Sequence, residues 1–490
     1  MPDDTRVTAE QRSVLALDVG TSSCRASLYD LMARPVEGAA AQITYAPHVT
    51  AEGGAELDPN VLFEQVCATI GRVLADKQPR VVAVGTSAFW HSLVGVDASG
   101  QPLTPVYLWL DARSRGEVPS LRRVLDERAV HARTGCVLHW SYWPAKLSWL
   151  RRTQPEVFDK VHRWVSFGEL LLERLTGQAQ VSTSMASGTG LLDIHRGVWD
   201  AEVLEALAIE PQRLGQIAPL NETATTRRWS ALAGVPWLPA VGDGACSNLG
   251  AGCANADRFA VMIGTSGAER VVWSPAGPFQ VPWGTWCYRI DERRLVLGGA
   301  LNDGGSLFDW LRSTLRLPEV SVAEAAIAAL EPDGHGLTVL PFWGGERSPG
   351  WADDARGPIV GLRLHTEPFE ILRACMEAVA LRFGEIDLML SQAMPNAREV
   401  VATGGALLHS PTWMQILADV LERPVLASAE PQASGRGAAL LALETLGLLD
   451  VPLEEWRPEV ARRFEPVAEH SRRYRAAAER QRRLYDALVA

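Results

Sequence analysis

The stretch Val14-Leu15-Ala16-Leu17-Asp18-Val19-Gly20-Thr21-Ser22-Ser23-Cys24 decides the fold. Four apolar residues in succession read as a buried strand, the run from Asp18 to Ser23 as a tight turn, and Cys24 to Tyr29 as a returning strand. A second unit of the same form spans Phe259 to Val272, where Ala260-Val261-Met262-Ile263 enters Gly264-Thr265-Ser266-Gly267 and leaves through Arg270-Val271-Val272. Two such units about half a chain apart suggest a duplication, with two related domains facing each other and the turns as opposite lips of one cleft. Gly-Thr-Ser alone is a common turn that recurs by chance. A third copy, Gly85-Thr86-Ser87 after Val81 to Val84, speaks for chance, and the apolar strands set close around the other two speak for duplication.

Around these units, strands are expected at Val81 to Val84, Leu93 to Val96, Trp237 to Val241, Leu295 to Leu297, Leu337 to Pro341 and Glu399 to Ala402. Helical patterns cover Pro59 to Ala75, Pro144 to Arg151, Phe167 to Thr176, Leu307 to Leu315, Val322 to Ala329, Pro411 to Leu421 and Gly437 to Leu446. The best defined runs from Glu367 to Gln392, with Thr366 as the expected cap and Leu372, Met376, Val379, Phe383 and Ile386 on one face. The tail Glu469 to Leu488 reads as a solvated amphipathic helix. Strands alternating with helices make this an α/β protein. At ~150 residues per domain, 490 residues allow two or three domains. The boundary is expected within 245–256, dividing 1–248 from 249–490.

The balance of 47 basic against 58 acidic side chains, a net charge of −11, excludes a polybasic nucleic-acid or membrane-surface binder, which needs a positive field. Only Lys77, Lys146 and Lys160 are lysines, and none follows a glycine, so no P-loop is present. There is no Gly-x-Ser-x-Gly nucleophile elbow either. Seven scattered cysteines without a CxxC pair suggest buried thiols in a reducing compartment. The acidic start Met1 to Thr5 has no signal-peptide pattern, and no apolar run reaches the ~18 residues of a membrane span. A cytoplasmic protein is expected.

Three glycine-containing turns carry candidate chemistry. In the first, Asp18 ends a buried strand beside backbone amides and hydroxyls able to face a phosphate. A carboxylate there suits a polyphosphate only with Mg²⁺ between them; the other reading is an Asx-type turn satisfied by its own backbone. In Val241-Gly242-Asp243-Gly244, the glycines leave Asp243 unobstructed, as a general base approaching a hydroxyl requires, although Gly-Asp-Gly is also a common turn. In Thr403-Gly404-Gly405-Ala406, small residues after a strand would let a flat ring lie on the backbone, or simply let strand and helix pack tightly.

In this order the motifs resemble the FGGY family of carbohydrate kinases, within the sugar kinase, actin and Hsp70 superfamily, over nearly the whole chain. Asp18 to Ser23 resembles the first phosphate motif, Gly264-Thr265-Ser266 the second, Gly242-Asp243 the segment with the catalytic Asp, and Thr403 to Ala406 the adenosine motif. Tyr142-Trp143-Pro144-Ala145-Lys146-Leu147-Ser148-Trp149-Leu150 is similar to the family's first signature, and Gly357 to Val379 to its second. The resemblance implies two ribonuclease H-like domains around a central cleft, ATP and Mg²⁺ as cofactors, and a sugar acceptor. Asp243 would be the base, Asp18 the metal contact, and Thr21, Ser22, Ser23, Gly264, Thr265, Gly304, Gly305, Gly404, Gly405 and Ala406 the nucleotide contacts. Members of the family are often dimers, which leaves room for a homodimer.

For the acceptor, the resemblance points to Trp90, His91, Trp109, Asp111 and Tyr142, beside Asp243. Trp90-His91-Ser92 departs from the Met-His-Gly of xylulose kinases. Together with Trp109-x-Asp111-x-Arg113, and with Gly298 to Gly305, it is similar to gluconate kinases instead. A carboxylate would suit an Arg or His. Gluconate is therefore the first expected acceptor, xylulose the second and another polyol the third. Core packing would also explain Trp90 or Trp109, and His91 could be a structural histidine. An actin-like ATPase and a catalytically silent ligand sensor are the readings from other classes; the first leaves the sugar-side signatures unexplained, and Asp243 counts against the second.

Overall fold

The computed structural model describes residues 12–77, 80–430 and 432–489. The N-terminal segment read above as acidic, Met1 to Thr5, lies outside them. Two lobes each carry a sheet whose strands follow the same plan. In the first lobe Pro35–Thr44, Ser23–Tyr29 and Arg12–Val19 run antiparallel in turn, and Arg80–Ala88 and Val241–Gly242 extend the sheet in parallel. In the second, Leu295–Leu301, Gly267–Trp273 and Arg258–Ile263 are the antiparallel set, and Glu399–Thr403 and Val425–Ser428 the parallel one. Trp286–Arg289 and Val460–Phe464 add an outer strand at each side. The duplication read from two turns is thus a duplication of a five-strand core.

Register puts the chemistry at one end. Asp18 is paired with Ser87, and Ser87 with Val241, so the three parallel strands of the first sheet finish level with each other. In the second lobe Met262 pairs with Thr403, and the chain then enters Gly264 and Gly404. A crevice outside the carboxyl ends of parallel strands is where open α/β sheets hold ligands.

The strand-to-strand units form as expected because the apolar runs on both sides of the turns bury completely: Val14, Leu15, Ala16 and Leu17 in one, Phe259, Val261 and Ile263 in the other. The third Gly-Thr-Ser differs. Gly85-Thr86-Ser87 lies inside the strand Arg80–Ala88, and no turn forms. A Cβ at Gly85 would stand 2.2 Å from the Ala438 carbonyl oxygen, so this glycine admits the helix Ala433–Thr445 of the second lobe against the first lobe's sheet. The same helix packs on Asp243–Gly250, where Gly437 lies so close that a Cβ would meet the Cys246 carbonyl at 1.9 Å.

Other expectations shift in detail. The Gly-Asp-Gly segment is a helix start, with Gly242 as cap and Asp243 the first helical residue. The long helix spans Pro368–Ala393, and its cap is Glu367 in a reciprocal box with Glu370; Thr366 Oγ1 instead accepts from the Arg363 N–H at 2.9 Å. The expected strand from Trp237 to Val241 narrows to Val241–Gly242, and that from Leu337 to Thr338–Val339. The terminal helix Ala468–Leu488 is docked, not free: Tyr474 and Gln481 are buried, and the Tyr474 hydroxyl donates to Glu377 at 2.9 Å. All seven cysteines are buried thiols without disulfides. Among the described residues no helix is long and apolar enough to cross a membrane.

Candidate functional site

Between the lobes lies a cavity of about 130 Å³ to which both contribute. Trp90, His91, Trp109, Asp243 and Gly244 come from the first lobe; Ser266, Gly267, Arg270, Trp286, Tyr288 and Arg347 from the second. The catalytic candidate Asp243 and the turn Gly264 to Gly267 therefore share one hollow.

Trp90 shapes it. A Cβ at Gly242 would sit 1.8 Å from Trp90 Cε2, and one at Gly244 2.8 Å from Cζ3, so the two glycines around Asp243 exist to seat the indole. The space read from sequence as clearance for a substrate is filled on that side by a ring. Trp90 Nε1 donates to the Ser184 carbonyl at 3.1 Å, fixing the ring's orientation. The indole meets Tyr288 in an edge-to-face contact, 4.8 Å between centroids, and Tyr288 stacks on Trp286 at 4.6 Å.

His91 takes a left-handed backbone (φ 65°) that turns its ring into the cavity. Nδ1 lies 2.5 Å from the Gly188 carbonyl, which can only accept, so the proton is on Nδ1 and Nε2 is a free acceptor. Burial pushes its pKa down to about 3. It stays neutral and supplies no charge to a carboxylate.

Asp243 accepts the Gly244 N–H at 2.8 Å. Burial raises its pKa, and the nearby Arg270 guanidinium and the Gly244 N–H oppose that rise. Asp18, across the sheet end, accepts from Ser87 Oγ at 3.1 Å; its pKa is pushed up to about 6, first by burial and then by the charge of Asp243. A partly buried carboxylate whose proton affinity is raised by burial and by a second carboxylate fits a divalent cation between it and a polyphosphate, with Asp18 as the residue that would hold it.

Among the described residues, the N–H groups of Thr21 and Ser22 in the first turn and of Thr265 in the second donate to no protein acceptor. The turns are closed by other bonds, Gly20 N–H to the Ser23 carbonyl at 2.9 Å and Gly264 N–H to the Ser266 carbonyl at 2.9 Å. Free amides on closed turns suit anionic oxygens. Behind the second turn a larger cavity, about 510 Å³, gathers Gly264, Thr265, Gly305, Gly405 and Ala406 with Phe308, Arg312, His409 and Trp413. Glycine makes this convergence: Cβ atoms at Gly305 and Gly404 would come within 2.5 Å of the Gly264 carbonyl and 2.4 Å of the Ile263 carbonyl. Gly304 stands behind, its N–H bonded to the Thr265 carbonyl at 3.2 Å.

Two acceptor-side candidates lie outside the cavity wall. Asp111 is tied to Arg113 at 2.5 Å and accepts the Ala55 N–H at 3.1 Å, so in Trp-x-Asp-x-Arg the acid and base satisfy each other and only Trp109 reaches the hollow. Tyr142 is fully buried behind His91, its hydroxyl 2.6 Å from that of Tyr288. Nearby, the buried amine of Lys146 donates to the carbonyls of Trp140 and Ser141 at 3.0 and 2.7 Å, and burial brings its pKa down to about 7.

Sequence reasoning missed Arg270, Arg347, Trp286 and Tyr288. Arg270 carried a signal: an arginine in the strand after the second turn, two residues from Ala268 and so on the same face, with Glu269 between them on the other. Arg347 carried none. Its loop is held from afar, by Asn302 Nδ2 to the Gly344 carbonyl at 2.9 Å, the Gly344 N–H to Asp303 at 2.7 Å, and the Ser348 N–H to the Ala300 carbonyl at 2.9 Å.

Sequence models described as the N-terminal and C-terminal domains of the FGGY family of carbohydrate kinases match residues 13–250 and 260–445. The chain is 27% identical to a gluconokinase of Bacillus subtilis (strain 168) over 455 residues, 89% of this chain and 88% of the relative. It is 31% identical to a glycerol kinase of Alkalilimnicola ehrlichii over 453 residues, 89% and 91%. Crystal structures of a ligand-bound xylulose kinase and of a gluconate kinase, both from Lactobacillus acidophilus, superimpose with a TM-score of 0.91 at 27% identity, covering 98% of this chain and 99% of each.

Proposed function

The chain belongs to the FGGY family of carbohydrate kinases, phosphotransferases with an alcohol acceptor that use ATP, and from that premise we propose that its acceptor is an open-chain sugar acid, gluconate first. The observation that carries the reading is the shared hollow. Asp243 of one lobe and the turn Ser266–Gly267 of the other line the same cavity, so a base and a phosphate-binding turn face one point.

In this reading Asp243 accepts the proton of the acceptor's hydroxyl as its oxygen attacks the terminal phosphorus in line. His91, with Nε2 unprotonated, accepts a hydrogen bond from another acceptor hydroxyl and orients the chain. The indoles of Trp90 and Trp109 give the carbon skeleton an apolar wall. Free amides at Thr21, Ser22 and Thr265 receive phosphate oxygens, and the cavity at Gly305, Gly405 and Ala406 takes the nucleoside. Mg²⁺, held by Asp18, would neutralise charge on the phosphates. Such catalysis consists of positioning and electrostatics. Closure of the lobes on both ligands excludes water, with 1–248 and 249–490 as the moving units; the helix Asp243–Gly250 joins them.

The test is side-by-side phosphorylation of gluconate, xylulose, ribulose and glycerol with ATP, followed by ADP release. Gluconate should give the highest kcat/KM. A preference for a ketose would move the acceptor to xylulose or ribulose, and ATP hydrolysis undiminished without any sugar would turn the reading to an ATPase.

A further inference from the structure

We propose that Arg270 and Arg347 form the subsite that receives the carboxylate of the acceptor and thereby select a sugar acid over a neutral polyol or ketose; the proposal rests on the kinase reading above.

The cavity is electrostatically incomplete. Its charged side chains are Asp243, Arg270 and Arg347, and His91 is neutral, which leaves one positive charge in excess. Among the described residues neither arginine has a carboxylate oxygen within ion-pair distance, and the Nε of each has no hydrogen-bond acceptor. The fully buried arginines elsewhere in the described residues each have a carboxylate partner. Arg294 pairs with Glu454 at 3.0 Å, Arg373 with Glu377 at 2.7 Å and Arg382 with Glu346 at 2.5 Å. A guanidinium partly withdrawn from water, with its Nε buried and no carboxylate beside it, is costly unless an anion is to arrive.

The nearby acids are bound to other partners or face away. Glu346, next to Arg347 in the chain, is taken by Arg382 and by the Tyr485 hydroxyl at 2.8 Å. Asp353 accepts from His139 Nε2 at 2.8 Å and from Trp140 Nε1 at 2.9 Å. Glu269 adjoins Arg270, but alternation along the strand sends it to the opposite face.

Both guanidiniums are also held in place. Arg347 lies over the rings of Trp109 and Trp351, at 5.4 and 5.9 Å from their centroids. Arg270 is wedged above Gly244, where a Cβ would stand 3.2 Å from its Nε. A planar fork fixed by aromatic faces is the geometry that receives a carboxylate through two parallel hydrogen bonds. With the carboxylate there and a hydroxyl at Asp243, a sugar acid would satisfy every charge in the hollow; a ketose would leave the arginines unpaired.

The test compares gluconate with glucitol, which keeps the carbon chain and hydroxyl configuration but carries CH₂OH in place of the carboxylate. Wild type should prefer gluconate. In Arg347→Gln, gluconate kcat/KM should fall about 10–100-fold while glucitol changes less than about threefold, and Arg347→Lys should recover part of the loss; Arg270→Gln also removes a positive charge beside Asp243 and should lower both acceptors, gluconate by the larger factor. Equal losses on both acceptors would overturn the proposal and put the arginines on the transferring phosphoryl group. Preference for gluconate that survives both substitutions would overturn it too. Arg347 is half-buried on a loop, so its variant tests the idea even if Arg270→Gln does not fold. If wild type phosphorylates neither acceptor, the acceptor reading has failed, and quenching of the cavity tryptophans by gluconate decides the present proposal separately. Binding lost in Arg347→Gln would uphold it; no binding to wild type would refute it.

Discussion

The indole of Trp90 lies on the backbone of Gly242 with no room for a methyl group: a Cβ at 242 would stand 1.8 Å from Cε2 and 2.3 Å from Cδ2. The ring cannot retreat freely, because its Nε1 is bonded to Ser184 and Gly188 closes on its other edge. Gly242→Ala should therefore cost about 1–3 kcal/mol through overpacking and displace Asp243, lowering both the melting temperature and kcat. Gly116→Ala, where the added methyl meets nothing within 4 Å, is the control and should leave both unchanged. Thermal melts and an ADP-release assay on the two variants check this.

Asp243→Asn removes the proposed proton acceptor without changing volume. The variant should melt close to wild type and still bind ATP, while kcat falls about 10²–10⁴-fold, the range for a lost general base. Full turnover would take Asp243 out of the mechanism.

Asp18 gives a pH signature in the free protein. Its folded pKa, about 6, exceeds the ordinary 3.8, so the folded state holds a proton more tightly than the unfolded chain. Its contribution to stability is then fully present below pH 4 and is lost as pH rises through 6. Asp18→Asn should be more stable than wild type at pH 7–8, by at most about 3 kcal/mol, with the difference closing below pH 4. Denaturant melts across pH 3.5–8 without metal or nucleotide measure it; a constant gap would refute the assigned direction.

Gly305→Ala probes the nucleotide side alone. Its Cβ would meet the Gly264 carbonyl at 2.5 Å and Ala406 at 3.1 Å, forcing apart the two turns proposed to hold phosphate and adenosine. KM for ATP should rise at least about tenfold, roughly the loss of one well-made contact, whereas the KM ratio between gluconate and glucitol should hold. Initial rates with ATP varied at fixed acceptor, then the reverse, separate the two.

Much of this protein was legible along the chain because the signals were local. The apolar runs before Asp18 and Gly264 announced strands, and the helix Phe167–Thr176 appeared at its read limits because Ser166 and Glu169 form its capping box. Gly264, Thr265, Gly305, Gly405 and Ala406 were read as nucleotide contacts and do line one cavity. Gly85-Thr86-Ser87 misled because a glycine needed for the approach of Ala438 is indistinguishable, in one dimension, from a glycine needed for a turn. Asp111 misled because its proximity to Arg113 in sequence did not show that each would occupy the other.

Periodicity and turn chemistry, each set by a few neighbouring residues, determined two duplicated α/β lobes and the order of their motifs. Tertiary structure alone decided which polar groups were left over. Arg270 and Arg347 are 77 positions apart, and only the packing that commits Glu346 to Arg382 and Asp353 to His139 leaves both guanidiniums unpaired in the hollow beside Asp243. Charge compensation is a property of distances in space, and the chain order does not contain them.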